Sequence, residues 1–216
     1  MEIKVVRQIM EWNENCHNEI QELLNEKGIF MINVMGSPGG GKTTFITKLI
    51  EKLRSEYKVA VIEGDIAGKL DAEKIASMNI PVVQLNTEGA CHIEAMSIKK
   101  ILPEFNLNDL DILIVENIGN LVCPAEFQIG EHLKIALLSI PEGDDKVEKY
   151  PLMFANANAL IISKYDLKEY FNFNEERIKE KGKGANPNIQ IFSVNSITGD
   201  GVDEFVNWLQ SKMKNR

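Results

Sequence analysis

Gly36-Ser37-Pro38-Gly39-Gly40-Gly41-Lys42-Thr43-Thr44 follows the spacing G-x-x-x-x-G-K-S/T of a phosphate-binding loop. Ahead of it runs Ile29-Phe30-Met31-Ile32-Asn33-Val34-Met35, an apolar stretch of strand length. Behind it Phe45, Ile46, Leu49, Ile50 and Leu53 recur at helical spacing. Strand, glycine-rich turn and helix in that order are the context the motif requires. Gly36, Gly39, Gly40 and Gly41 let the backbone turn so that successive N–H groups, with those of Ser37 and Thr44, point inward at phosphate oxygens. The helix that follows adds its free N–H groups and the positive end of its dipole. Lys42 would reach the β- and γ-phosphates, and the Thr43 hydroxyl would ligate Mg²⁺.

Working outward, the expected fold is α/β of the P-loop NTPase type, a mostly parallel central sheet flanked by helices, with a helix in front. Residues 1–27 are read as that N-terminal helix and 28–216 as the nucleotide-binding domain. Val5, Ile9, Trp12, Cys16, Ile20, Leu23 and Leu24 fall roughly on one helical face, and Lys27-Gly28 ends it. At 216 residues and 44% hydrophobic content, one domain with a buried core is expected. A net charge of -8 argues against a nucleic-acid-binding surface. No apolar run is long enough for a membrane span, and Met1-Glu2-Ile3-Lys4 does not open a signal peptide. Three cysteines without an export signal suggest reduced thiols and a cytoplasmic protein. Lys181-Gly182-Lys183-Gly184-Ala185-Asn186-Pro187 is expected to be a surface loop.

Further strands are expected at 59–62, 81–85, 111–115, 133–140, 159–162 and 189–194. Asp65 lies at the carboxyl end of the second, where open α/β sheets bind ligands. Its carboxylate would hold a Mg²⁺-bound water or serve as a cap. Asp71 opens a helix, and Tyr150-Pro151-Leu152-Met153-Phe154 forms a short one. Cys16 and His17 are adjacent on a regular helix and so do not share a face. Cys91 and His92 lie instead at a loop–helix junction, where neighbouring side chains can converge. Thiolate and imidazole suit Zn²⁺ and Ni²⁺, although such a pair alone is also an ordinary structural one.

Glu116 closes the fourth strand, with Gly119 three residues on, in the layout of a second Mg²⁺ contact and a γ-phosphate-sensing turn. The usual acid there is Asp. Gly119 would offer its N–H to the γ-phosphate, and Cys123 follows four residues later, so motion of one should move the other. After the sixth strand, Ser163-Lys164-Tyr165-Asp166 resembles the guanine-reading Asn-Lys-x-Asp. The Asp166 carboxylate would accept from guanine N1–H and its amino group. Adenine lacks both donors, a mismatch worth on the order of 10⁴ in discrimination. Lys164 would lie over the base. Ser163 in place of Asn makes fewer of the bonds that brace the loop. After the seventh strand, Asn195-Ser196-Ile197 would put the Ser196 N–H near guanine O6.

Together these residues resemble the HypB family, the nickel-insertion GTPases of NiFe-hydrogenase maturation, over about Glu26 to Leu209. The phosphate loop, the Cys91-His92 stretch and Glu116-Asn117-Ile118-Gly119-Asn120-Leu121-Val122-Cys123-Pro124-Ala125 carry the resemblance, the last most specifically. Gln128 stands where an Asp is usual. The resemblance implies a GTPase that dimerises with GTP and carries Ni²⁺ or Zn²⁺ at the dimer interface on Cys91, His92 and Cys123. It implies as partners the hydrogenase large subunit and an accessory nickel-binding maturation protein, with no nucleic acid or membrane involved. The Cys-rich or His-rich N-terminal segments of some members do not occur in this sequence.

The mechanism expected is a switch. GTP and Mg²⁺ order the turn at Gly119 and reposition Cys123 against Cys91 and His92, and hydrolysis loosens the ion. Arg7, Arg54, Arg177 and Arg216 are the only arginines, and none lies in an evident switch, so hydrolysis is expected to be slow. The rivals are a urease-type nickel GTPase, a chaperone of a cobalamin-dependent mutase, a non-catalytic metal-binding module and an ATP-dependent small-molecule kinase.

Overall fold

The computed structural model describes residues 2–65, 70–87 and 89–215; side chains are described from residue 11 onward, apart from 70 and 71. Strands β1 (Phe30–Gly36), β2 (Val59–Asp65), β3 (Val82–Asn86), β4 (Ile112–Glu116), β5 (Leu133–Ser139), β6 (Ala159–Ser163) and β7 (Gln190–Ser193) form one sheet. Their order is β3-β2-β4-β1-β5-β6-β7, and every pairing is parallel. A parallel sheet must be covered on both faces, which is why its strands read as unbroken apolar runs. Helices α1 (Glu2–Lys27), α2 (Lys42–Leu53), α3 (Leu70–Ala76), α4 (Ala95–Ile101), α5 (Cys123–Glu126), α6 (Lys146–Lys149), α7 (Pro151–Asn156), α8 (Glu175–Ala185) and α9 (Val202–Lys214) supply the cover.

Alternation along β1 divides the core. Phe30, Ile32 and Val34 face Phe45 and Leu49 of α2 and Phe205 and Leu209 of α9. Met31, on the opposite face, meets Ile20 and Leu24 of α1 and Ile98 of α4. Met35 joins Met153, Phe154 and Ile178, from α7 and α8, on the same side. Because all strands run one way, their carboxyl ends gather at one edge of the sheet, where β1 gives way to residues 37–41.

Two expectations need correction. The segment 181–187 is not a loop. Helix α8 is capped by Asn174, whose side chain accepts from the Arg177 N–H at 3.0 Å, and runs from Glu175 to Ala185. Ile178 and Gly182 share its buried face, so the glycines lie within an amphipathic helix that Asn186-Pro187 ends. On α1, Cys16, Ile20 and Leu24 are buried as expected, but Trp12 is 64% exposed. A spacing of four drifts by about 40° per step around a helix, so a turn earlier the face has rolled off the core. The side chains of Val5, Ile9 and Asp71 lie outside the described residues.

Candidate functional site

The phosphate loop is built as its residue types require. Gly41 takes φ 96°, a left-handed conformation, immediately before α2. Lys42 is buried and folds its Nζ back onto the carbonyls of Gly36 (3.4 Å) and Ser37 (3.2 Å). Ser37 is hydrogen-bonded to Glu142, which also caps the turn after β5 through the Ser139 N–H and hydroxyl. A cleft of about 460 Å³ opens beside the loop, lined by Gly39, Gly41, Lys42, Thr43 and Thr44 on one side. Asp65, Glu116, Gly119 and Lys164 also line it. Gly40 is buried behind the loop and donates its N–H to the Ser37 carbonyl at 3.2 Å. The Thr43 hydroxyl donates to Glu116 Oε1 at 2.8 Å. The Thr43 hydroxyl and the Glu116 carboxylate, with Asp65 lining the same cleft, are hard oxygen ligands of the kind that fits Mg²⁺. Thr43, Glu116 and Asp65 would hold that ion.

The residues expected to read the base lie at the ends of β6 and its neighbour. Ser163 is buried, and its hydroxyl donates to the Gly40 carbonyl at 2.7 Å. Lys164 sits at φ 53° with its Nζ on the Gly39 carbonyl at 2.7 Å. Ser163 braces the phosphate loop through its bond to Gly40. Asp166 is exposed in the turn that follows, Tyr165–Tyr170. Ser196 comes alongside from the end of β7, and the Tyr165 N–H donates to the Val194 carbonyl at 3.2 Å. Ser196 is buried, and its hydroxyl has no hydrogen-bond partner. Arg177 is held by Asp144 and Glu148. Arg54 caps the end of α2. The side chain of Arg7 and all of Arg216 lie outside the described residues.

Cys91, His92 and Cys123 converge. Their potential ligand atoms all lie within 4.8 Å of one another, and among the described residues no other group of three does so. The two sulfurs are 2.9 Å apart, and His92 Nδ1 is 3.6 Å from the Cys91 sulfur. The hydrogen bond with Cys123 raises the Cys91 thiol above its ordinary pKa. Burial lowers that of His92, against the pull of Glu94 and Glu126. The imidazole is thus neutral near pH 7, the form that ligates. The other Cys-His pair plays no such part: Cys16 is in the core, and His17 Nδ1 accepts from the Gly130 N–H at 2.8 Å.

Two asparagines that sequence reasoning passed over tie the sites together. Asn120 donates its N–H to the Gly36 carbonyl (3.0 Å) and its side-chain Nδ2 to the Cys91 carbonyl (3.1 Å). Its Oδ1 accepts from the Val122 N–H at 2.9 Å. Asn117 is buried, donates to Asn33 Oδ1 at 3.1 Å, and accepts from the N–H groups of Ile118 (2.9 Å) and Ile93 (3.4 Å). Between them Gly119 lies against the phosphate loop, where a Cβ would be 2.8 Å from the backbone nitrogen of Pro38. Asn33, a lone amide in an apolar strand, was the available signal.

The model of the CobW/HypB/UreG nucleotide-binding domain matches residues 30–193. "Probable hydrogenase maturation factor HypB" of Methanocaldococcus jannaschii is 34% identical over 98% of this chain and 96% of its own length. The chain belongs to the HypB family. "Hydrogenase maturation factor HypB" of Escherichia coli is 42% identical over 84% of this chain, which spans 63% of that relative's length. Among solved structures, Helicobacter pylori HypB in complex with nickel superposes with a TM-score of 0.89 at 39% identity, covering 94% of this chain and 95% of that one. The all-parallel sheet and the N-terminal helix are those of HypB structures. Among the described residues, no helix is long and apolar enough to cross a membrane.

Proposed function

We propose that this chain is a GTP-hydrolysing metallochaperone that carries Ni²⁺ or Zn²⁺ on Cys91, His92 and Cys123 and serves nickel insertion into a NiFe-hydrogenase. Family membership supports the nucleotide chemistry, and the three converging ligands support the cargo. The observation that carries the coupling is Asn120, bonded at once to the end of β1 and to the Cys91 carbonyl. Lys42 and Gly119 contact the γ-phosphate, Thr43, Glu116 and Asp65 hold Mg²⁺, and Lys164, Asp166 and Ser196 read guanine. Mg²⁺ when bound shields the charge between the phosphates; the chain's own residues position them. Hydrolysis is slow, because no arginine stands at the cleft among the described residues. Residues 1–27 are an accessory helix and 28–216 the G domain of a cytoplasmic homodimer that forms with GTP. Its partners are an accessory nickel-binding protein and the hydrogenase large subunit.

Ni²⁺ and Zn²⁺ titrations in GDP and then in a non-hydrolysable GTP analogue, with solution mass recorded alongside, test this. Metal affinity or stoichiometry should change with the nucleotide, and Cys91→Ala should abolish the response. Weak binding that is identical in both states would leave the three ligands structural.

A further inference from the structure

The ring of His92 does not stand free among the proposed ligands. It stacks on Phe127, with centroids 4.0 Å apart and planes inclined by 23°. That stack fixes the plane of the ring, and in this orientation Nδ1 lies 3.6 Å from the Cys91 sulfur. Nε2 is turned away, shielded from water and without a hydrogen bond, with Glu94 Oε1 3.8 Å from it. Phe127 is itself anchored from behind. The buried Lys134 places its Nζ on the carbonyls of Phe127 (3.0 Å) and Ala125 (3.3 Å), and Asn156 Nδ2 also donates to Ala125 at 2.9 Å. The short helix that begins at Cys123 and the ring that holds His92 are therefore fastened at one point.

We propose that His92 ligates the metal through Nδ1, that Phe127 is the positioning residue that holds the plane of the ring, and that Glu94 is the carboxylate that accepts the Nε2–H and so sets which nitrogen faces the thiols. The inference rests on Cys91, His92 and Cys123 being the metal site. The chemistry is that of ligating histidines generally, whose second nitrogen donates to a carboxylate that orients the ring and makes it more basic. In the metal-free chain Glu94 is 3.8 Å from Nε2 and more than half exposed, so it has room to close that distance. Shielding by Phe127 excludes water as a competing acceptor.

The test uses the full chain and Zn²⁺ or Ni²⁺ alone. In ¹⁵N-histidine spectra with Zn²⁺, Nδ1 of His92 should show the metal-bound shift while Nε2 keeps its proton. The reverse pattern overturns the proposal without any variant. In Ni²⁺ titrations Glu94→Ala should weaken binding about 10–100-fold, and Glu94→Gln, which keeps an acceptor oxygen, should recover part of it. Phe127→Leu should weaken binding and Phe127→Tyr should restore it, with GDP affinity and thermal midpoint unchanged for the Tyr variant. If Cys91→Ala abolishes binding while Glu94→Ala and Phe127→Leu leave it within twofold, the positioning roles fall and the metal site stands. If Cys91→Ala also leaves binding intact, the metal site itself falls.

Discussion

Gly119→Ala tests the link between the two sites most directly. A Cβ at Gly119 would lie 2.8 Å from both Cγ and N of Pro38 and 2.9 Å from its Cα. Carbon atoms rest at about 3.5–4.0 Å, so the turn and the phosphate loop must part by roughly 0.7 Å. Two of the three atoms met are backbone, so no rotamer change relieves the contact. Overpacking of this kind costs about 1–3 kcal/mol. The loop is braced behind by Ser163 on Gly40 and by Lys164 on Gly39, so the turn is the side that gives. The displaced turn carries Asn120, and with it the bond to the Cys91 carbonyl. The GTP analogue should therefore bind roughly 5–150-fold more weakly, at about 1.4 kcal/mol per tenfold. GDP should be affected less, because it places no γ-phosphate against the turn. Metal affinity should become the same in GDP and in the GTP analogue. Fluorescent-nucleotide titration and Ni²⁺ titration in both states read these effects. A variant that binds the analogue as the parent does and keeps a nucleotide-dependent metal affinity would refute the coupling.

Ser163→Ala removes the bond to the buried Gly40 carbonyl; an orphaned acceptor costs about 1–3 kcal/mol, and GDP affinity measured by titration should fall about tenfold. Asn13 of α1 accepts from the Ala95 N–H at 3.0 Å and donates to the Gln128 carbonyl at 2.8 Å, capping α4 from outside and holding the segment after Cys123. Asn13→Ala should lower stability by about 1 kcal/mol, a fall of about 2–4 °C in thermal midpoint for a chain of this length, and should weaken Ni²⁺ binding. His17 gives a pH dependence. Burial depresses its folded pKa below 6.5, and Glu131 only partly offsets this. As pH falls below 6.5 the unfolded chain takes up a proton that the folded chain refuses, so stability declines, by at most about 1.4 kcal/mol per pH unit. Urea midpoints at pH 7.5 and 5.5 should differ less in His17→Gln than in the parent.

The fold was legible because its signals are local. A strand, G-x-x-x-x-G-K-T and an amphipathic helix declare themselves within about twenty residues, and the parallel sheet follows from uninterrupted apolar strands. The convergence of Cys91 and Cys123, thirty-two residues apart in sequence, was expected only from the family resemblance, because no periodicity relates them. The bonds that hold the site were not legible for the same reason. Asn13, Asn117, Asn120 and Phe127 act on backbone groups, an amide or a ring far away in sequence, and each side chain is ordinary by type. Helix α8 was missed because two glycines are a loop signal. Its cap at Asn174 and the buried Ile178 outweigh that cost. Glu175 also contributes there: burial opposes its ionisation, but bonds from Lys168, Lys179 and Tyr165 bring the carboxyl down to about 2.

The proposed coupling of the two sites is in the end a matter of register. β1 and β4 pair as Val34 opposite Glu116, and the pairing does not stop where β4 does. The Asn117 N–H continues onto the Val34 carbonyl and that of Asn120 onto Gly36. Beyond Asn117 the chain leaves the sheet, bends at Gly119 beside the phosphate loop, meets Gly36 in an isolated antiparallel bridge through Asn120 and then turns away to Cys123. On the other flank β2 pairs with β4 as Glu63 opposite Glu116, and with β3 as Asp65 opposite Asn86. The carboxylates therefore line the same cleft as the phosphate loop, and the chain leaving β3 arrives at Cys91 and His92. A one-residue slip of β4 would invert its faces, putting Leu113 and Val115 toward α2 and carrying Asn117 away from Asn33. The amide pair between those two, buried in an otherwise apolar layer, makes such a slip costly, because each amide would lose its partner where no water reaches. The same pair anchors the Ile93 N–H beside His92. The contacts that pin the sheet in register also hold one arm of the proposed metal site.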